Sequence, residues 1–147
     1  MSHILGIKSS SLARHIAAML LSSAMLTPLT HAQNNEAILL TASNIPYVSG
    51  GVGIASIDRL DTMSNQFNVK LVFALKTGEY VSDVKVTIAD AGGKPVVQAV
   101  SDGPWFLTKL PAGRYQVMAV FAGNTEQRTV VVGGARLNTL DFRWTSE

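Results

Sequence analysis

The sequence contains no cysteine, which excludes a disulfide-stapled scaffold, a thiol enzyme, an iron–sulfur site and a lipidated N-terminal cysteine. It also lacks any uninterrupted apolar run of the ~18–20 residues that a membrane-crossing helix needs. Its charge is nearly balanced, with 12 Lys and Arg against 10 Asp and Glu over 147 residues. That length fits one folded domain, since domains commonly run about 100–200 residues.

What is present at the start reads as a secretory leader. Lys8 and Arg14 give a positive beginning, Ile16 to Leu26 is apolar apart from Ser22 and Ser23, and Pro28 breaks any helix. Thr30 and Ala32 are small residues three and one before a cut ahead of Gln33. No twin arginine is present, so export as an unfolded chain is the expected route. Removing 1–32 takes away Lys8 and Arg14 and leaves ten basic residues against ten acidic ones, a net charge of zero. A neutral chain offers neither the basic footprint that nucleic acid needs nor a polybasic stripe for anionic lipid.

His3, His15 and His31, the only histidines, all fall in the leader. Without imidazole or thiol the exported chain lacks the proton carrier of Ser-His-Asp or Cys-His hydrolysis. Zinc and copper sites rely mainly on the same two groups. Met63 and Met118 are the soft ligands that remain, and isolated thioethers ordinarily fill core gaps. No Asp-x-Asp-x-Asp spacing marks a calcium loop. No metal and no cofactor is expected.

After the leader, Gln33 to Gly53 is polar and rich in breakers, and reads as an extended arm with an apolar grip at Ile38-Leu39-Leu40. Its Gly50-Gly51-Val52-Gly53 stretch has no Lys-Ser/Thr after it, so a hinge is expected rather than a phosphate loop. Ile54, Ile57 and Leu60 recur at helical spacing and predict a short amphipathic helix over Ile54–Asn65. Asp58 and Asp61 would lie one turn apart on its solvated face.

From Phe67 the period changes to two. Strands are predicted near 67–75, 84–89, 95–100, 104–110, 114–121, 126–132 and 138–144. Gly92-Gly93 reads as a tight hairpin, since paired glycines permit the positive φ that such turns need. Seven short strands separated by turn signals every eight to twelve residues argue an all-β sandwich. Three segments result: a leader at 1–32, an arm with a short helix at 33–66, and the sandwich at 67–147.

Treating Pro111-Ala112-Gly113 as a hairpin sets Trp105 opposite Ala119 and Leu107 opposite Val117, predicting both Trp105 and Leu107 inside. Phe106 then faces Met118 on the outside, with Thr108 and Val120, in a patch more apolar than a solvated face should be. The preferred expectation is that the helix covers it, with Ile54, Ile57 and Leu60 on Phe106, Met118 and Val120. The competing one leaves it open to a partner.

The run from Asp102-Gly103-Pro104-Trp105-Phe106-Leu107 through Leu110-Pro111-Ala112-Gly113-Arg114-Tyr115 resembles the carboxypeptidase regulatory-like domains. These carry an Asp-Gly turn, alternating apolar residues and then Leu-Pro-x-Gly-x-Tyr. The resemblance extends over about Asn68 to Trp144. It implies a seven-stranded Greek-key, transthyretin-like sandwich, and a fold far more than an activity. The zinc carboxypeptidases carry catalysis in a separate domain, and the related hydroxyisourate hydrolases use histidines. Pilin- and adhesin-type relatives form a Lys–Asn isopeptide beside a Glu. Here Lys70 and Asn138 lie on strands, but Thr108-Lys109 stands before Leu-Pro, so no isopeptide is expected.

The expected function is therefore a non-enzymatic binding or accessory module in the periplasm, meeting an envelope protein or glycan. Phe106, Met118, Arg114 and Tyr80 are the candidate contact residues. One alternative is a structural subunit of an extracytoplasmic assembly, joined by strand addition at an open edge. Another is a hydrolase using Glu79, Asp83, Asp90 or Asp102, which would need two carboxylates in one pocket. Asp90 and Asp102 instead occupy turn positions, where Asp caps its own backbone.

Overall fold

A computed structural model describes residues 36–145. The leader assigned to 1–32 lies outside the described residues. Among the described residues, nine strands, not seven, form two sheets. They are β1 (Leu39–Leu40), β2 (Pro46–Gly50), β3 (Val69–Leu75), β4 (Val84–Ala89), β5 (Pro95–Ser101), β6 (Trp105–Thr108), β7 (Gly113–Phe121), β8 (Asn124–Val132) and β9 (Asn138–Trp144). Between β2 and β3 lie one helix, α1 (Ile54–Met63), and a 3-10 turn, Ser64–Gln66.

The five-stranded sheet runs β1-β2-β6-β3-β9 and the four-stranded sheet runs β5-β4-β7-β8. Neighbours are antiparallel except β3 and β9, which run parallel with Leu71 beside Leu140 and Phe73 beside Phe142. The two extra strands come from the arm. Its Ile38-Leu39-Leu40 segment pairs with Pro46 and Tyr47, and β2 in turn pairs with β6, so the arm is an integral part of a sheet.

Alternation at period two turns one face of each sheet inward. Val69, Leu71, Phe73 and Phe142 from the first sheet meet Val84, Val86, Ile88, Val117 and Ala119 from the second. Trp144 closes one end of the core, stacking toward Phe142 while its indole N–H donates to the Asn124 carbonyl at 3.0 Å. The β4–β5 hairpin turns at Gly92-Gly93 as predicted, with Gly93 at φ 81°. Asp90 stabilises that turn by accepting the N–H groups of Gly92 and Lys94 at 3.0 and 2.9 Å.

The expected hairpin at Pro111-Ala112-Gly113 does not form. β6 and β7 belong to different sheets, and the segment between them crosses from one to the other. Pro111 has no N–H for a ladder. The backbone of Leu110 is taken by the Asn68 side-chain amide, which donates to its carbonyl at 2.8 Å and accepts its N–H at 2.9 Å. The Tyr115 hydroxyl then donates to the Pro111 carbonyl at 2.8 Å and holds the far side of the crossing.

This crossing reverses the expected facing of β6. Phe106 lies in the central core, stacked on Tyr47 at 5.2 Å, and is 0% exposed. Trp105 and Leu107 occupy the outer face, where Leu107, Val48, Phe67 and Leu60 form a second, smaller cluster under α1. The helix does cover a sheet, but it covers Leu107 and not Phe106, Met118 and Val120. Its buried positions are Ser56 and Leu60, one turn apart, whereas Ile54 is 78% exposed.

Candidate functional site

Of the four sequence-derived contact residues, two share a surface. Arg114 and Met118 stand on the same outward face of β7, four residues apart, as period two requires. Arg114 is exposed and Met118 is half-buried. Tyr80 is exposed but lies in the loop after β3, bridged to Ala74 and apart from that face. Phe106 presents no surface, because it is enclosed between the sheets.

The register of the four-stranded sheet extends the Arg114–Met118 face. One row reads Gln98, Thr87, Met118, Gln127, and the next reads Val100, Lys85, Val120, Thr125. Gln116, Thr129 and Val131 complete its lower edge beside Arg114. The outward positions of these strands carry amides, hydroxyls, valines and one thioether, two cations in Lys85 and Arg114, and no acid or aromatic ring. No helix among the described residues packs on it.

A cleft of about 360 Å³ opens elsewhere, between the arm and the start of α1, lined by Glu36, Leu39, Ser49, Val52, Ser56 and Asp102. It contains the arrangement that most resembles chemistry. The Glu36 carboxylate accepts the Ser56 hydroxyl and pairs with the Arg59 guanidinium at 2.7 Å, and Ser56 Oγ accepts the Gly51 N–H at 2.7 Å. Burial pushes the Glu36 carboxyl up, but the hydrogen bonds from Arg59 and Ser56 outweigh it and hold the group below the usual carboxylate value. A general base works best with a pKa near the working pH. A carboxylate held down this way is a poor proton acceptor for Ser56, so the cluster acts as a clamp. Gly50 is part of that clamp, because a Cβ there would press on the Glu36 side chain at 2.7 Å.

Sequence reasoning passed over Glu36 and Ser56. Ser56 shares a helical face with Leu60, yet a lone serine on an apolar face gives no signal until its partner 20 residues away is known. The four weighed carboxylates form no ion-pair or hydrogen-bonded pair with one another among the described residues. Asp90 caps its own turn, and Asp102 reaches across to Ser49, its N–H donating to Ser49 Oγ at 3.1 Å. Asp58 and Asp61 stand on the exposed side of α1.

Lys70 and Asn138 point to opposite faces. The Lys70 ammonium sits 3.2 Å from the centre of the Trp105 ring, whereas the Asn138 amide donates to the Asn68 carbonyl at 3.1 Å. Burial pulls the Lys70 amine below its ordinary value, opposed by the charges of Asp61 and Asp141. Within the described residues no group of three or more Asp and Glu side chains converges as a metal site would require. No family model and no curated protein matches this chain.

Proposed function

We propose that this chain is a non-catalytic recognition module of the cell envelope, exported to the periplasm and built on a transthyretin-like, Greek-key sandwich of the carboxypeptidase regulatory-like type. The two stacked sheets, and the Leu-Pro-Ala-Gly-Arg-Tyr segment at the crossing between them, support the fold reading. The face of β5-β4-β7-β8, uncovered among the described residues, carries the functional one. Antiparallel sheets can leave one face in water, but such faces are ordinarily polar throughout. Here Val100 and Val131 stand 51% and 64% exposed, with Met118 and Val120 between them, among glutamines and threonines.

The partner this face fits is a protein. Flat contact with a sugar ring relies on aromatic platforms, and the strand positions of this face carry none. The mixture of apolar patches, amides and an arginine matches the composition of protein interfaces. The polar groups of the arm cleft are engaged with one another, which supports a holding rather than a transforming role.

The test is site-specific photo-crosslinking in the intact envelope. A photoreactive residue at Met118 or Gln98 should yield a discrete adduct with one envelope protein, and one at Thr139 on the other sheet should yield none. Adducts of equal strength at both places, or none at Met118 and Gln98, would refute the proposal. A glycan partner would give the second result, together with saturable binding of soluble envelope glycan.

A further inference from the structure

Exposed apolar side chains also gather at the arm, on the other sheet. Ile38, Leu39, Leu40, Val52 and Ile54 stand 45–78% exposed, and Leu39 and Val52 line the same cleft. Ile38 to Leu40 form the border of the five-stranded sheet, since β1 is its outermost strand.

The hydrogen-bond pattern fixes which backbone groups this border offers. The Thr41 N–H donates to the Ile45 carbonyl at 3.0 Å, so Thr41 faces inward toward the returning chain. Bonded and non-bonded pairs alternate along an antiparallel ladder. Leu39, opposite Tyr47, therefore also faces inward, whereas Leu40, opposite Pro46, turns its N–H and C=O outward. Pro46 agrees with this assignment. It has no N–H to offer, and its carbonyl points the other way, to the Lys109 N–H at 3.2 Å and the Thr108 hydroxyl at 2.9 Å. The Leu39 N–H faces inward, so the Ile38 carbonyl, trans to it in the same peptide unit, turns outward like the backbone groups of Leu40.

The other three borders carry the protections that discourage edge pairing. On β9, Arg143 and Asp141 approach to 3.6 Å, and on β8, Arg128 and Glu126 pair at 3.1 Å. β5 begins with Pro95, and its Val96 carbonyl accepts the Thr41 hydroxyl at 3.0 Å. β1 carries no charge, proline or tether, and its one protection is its length of two residues. Residues 37–57 include no charged side chain, and Glu36 at their start is already matched by Arg59.

We infer that β1 is the seam of a two-fold homodimer, in which Ile38 and Leu40 of one copy pair antiparallel with Leu40 and Ile38 of a second across an axis at Leu39. Charge permits this occupant. A neutral apolar edge meets no like-charge penalty against its own copy, whereas a charged edge would. Geometry selects the register, because outward backbone groups at alternate positions on both sides of Leu39 are complementary to themselves under a two-fold rotation. Val52 and Ile54 extend the apolar contact beyond the strands. This inference is independent of the recognition face, which lies on the other sheet.

Sedimentation velocity of the purified chain over rising concentration tests it. The mass should double reversibly, and the Leu40 amide should become protected from exchange only in the heavier species. Leu40→Pro removes an outward N–H that the fold does not use, and should weaken association at least tenfold with the unfolding midpoint retained. Leu39→Lys, which sets two ammonium groups face to face on the axis, should do the same. A monomer at every concentration would overturn the inference, whether the edge meets solvent or a different protein. So would undiminished dimerisation of both variants.

Discussion

The two sheets bury comparable inner faces and treat their outer faces in opposite ways. Over the five-stranded sheet, α1 lays Leu60 and Met63 on Val48 and Leu107, and Lys70 covers the ring of Trp105. Over the four-stranded sheet nothing among the described residues is laid down, although Val100, Met118, Val120 and Val131 stand there. The contrast separates apolar surface that stabilises the fold from apolar surface left available. A helix over a sheet buries both partners and contributes roughly 25 cal/mol for each Å² withdrawn from water. The open face makes no such contribution, which is what a surface kept for another molecule requires.

Three substitutions sharpen that contrast. Leu60→Ala should cost about 2–5 kcal/mol, because the side chain is fully enclosed between α1 and the sheet and a cavity would remain. Urea unfolding with an unchanged slope and a lower midpoint would show it; a loss under 1 kcal/mol would mean that the helix is not a working cover.

Glu36→Gln should have an intermediate effect, about 1 kcal/mol, since it removes the charge from hydrogen bonds to Ser56 and to a solvent-screened Arg59. The carboxyl titrates below its ordinary value in the folded chain, so its contribution is complete above the unfolded pKa and disappears as pH falls through the folded one. Wild-type stability should therefore drop more steeply than that of the variant as the solution is acidified through the carboxylate range. Parallel pH profiles would remove Glu36 from the clamp.

Val120→Thr on the open face should change stability by no more than about 0.5 kcal/mol while weakening the Met118 crosslink. A large loss of stability there would mean that the face is structural after all, and the contrast between the sheets would vanish.

Much of this architecture was legible in the sequence, for identifiable reasons. Strands β3, β4, β5, β7, β8 and β9 announce themselves because each has one wet and one dry side, or stands beside a glycine turn. β6 was legible as a strand but not in its facing. Trp105, Phe106 and Leu107 are all apolar, because this strand lies between the core and α1, and an unbroken apolar run carries no parity. A one-residue error in parity exchanges every side chain between faces. It placed Phe106 outside, while Arg114 and Met118, on the unambiguous strand β7, came out on a shared outer face.

The arm hid its strands differently. Serines, asparagines and glycines around Pro46 read as a linker, and only pairing with β6 makes β2 a strand. The clamp was illegible for a related reason. Glu36 and Ser56 are ordinary until the chain brings them together, and Gly50 reads as a hinge until the close approach of Glu36 gives it a reason to lack a side chain.

The parallel pairing of β3 with β9 has a consequence in time. Asn138 reaches back to Asn68 over 70 positions, and five strands, β4 to β8, lie between β3 and β9. During folding, β3 keeps one flank unsatisfied, and the core lacks Phe142 and Trp144, until β9 docks. Contacts between such distant positions carry a high loop-closure cost and slow the acquisition of structure. A folding chain of this design stays pliable until late, and its lasting shape is set when β9 docks beside β3.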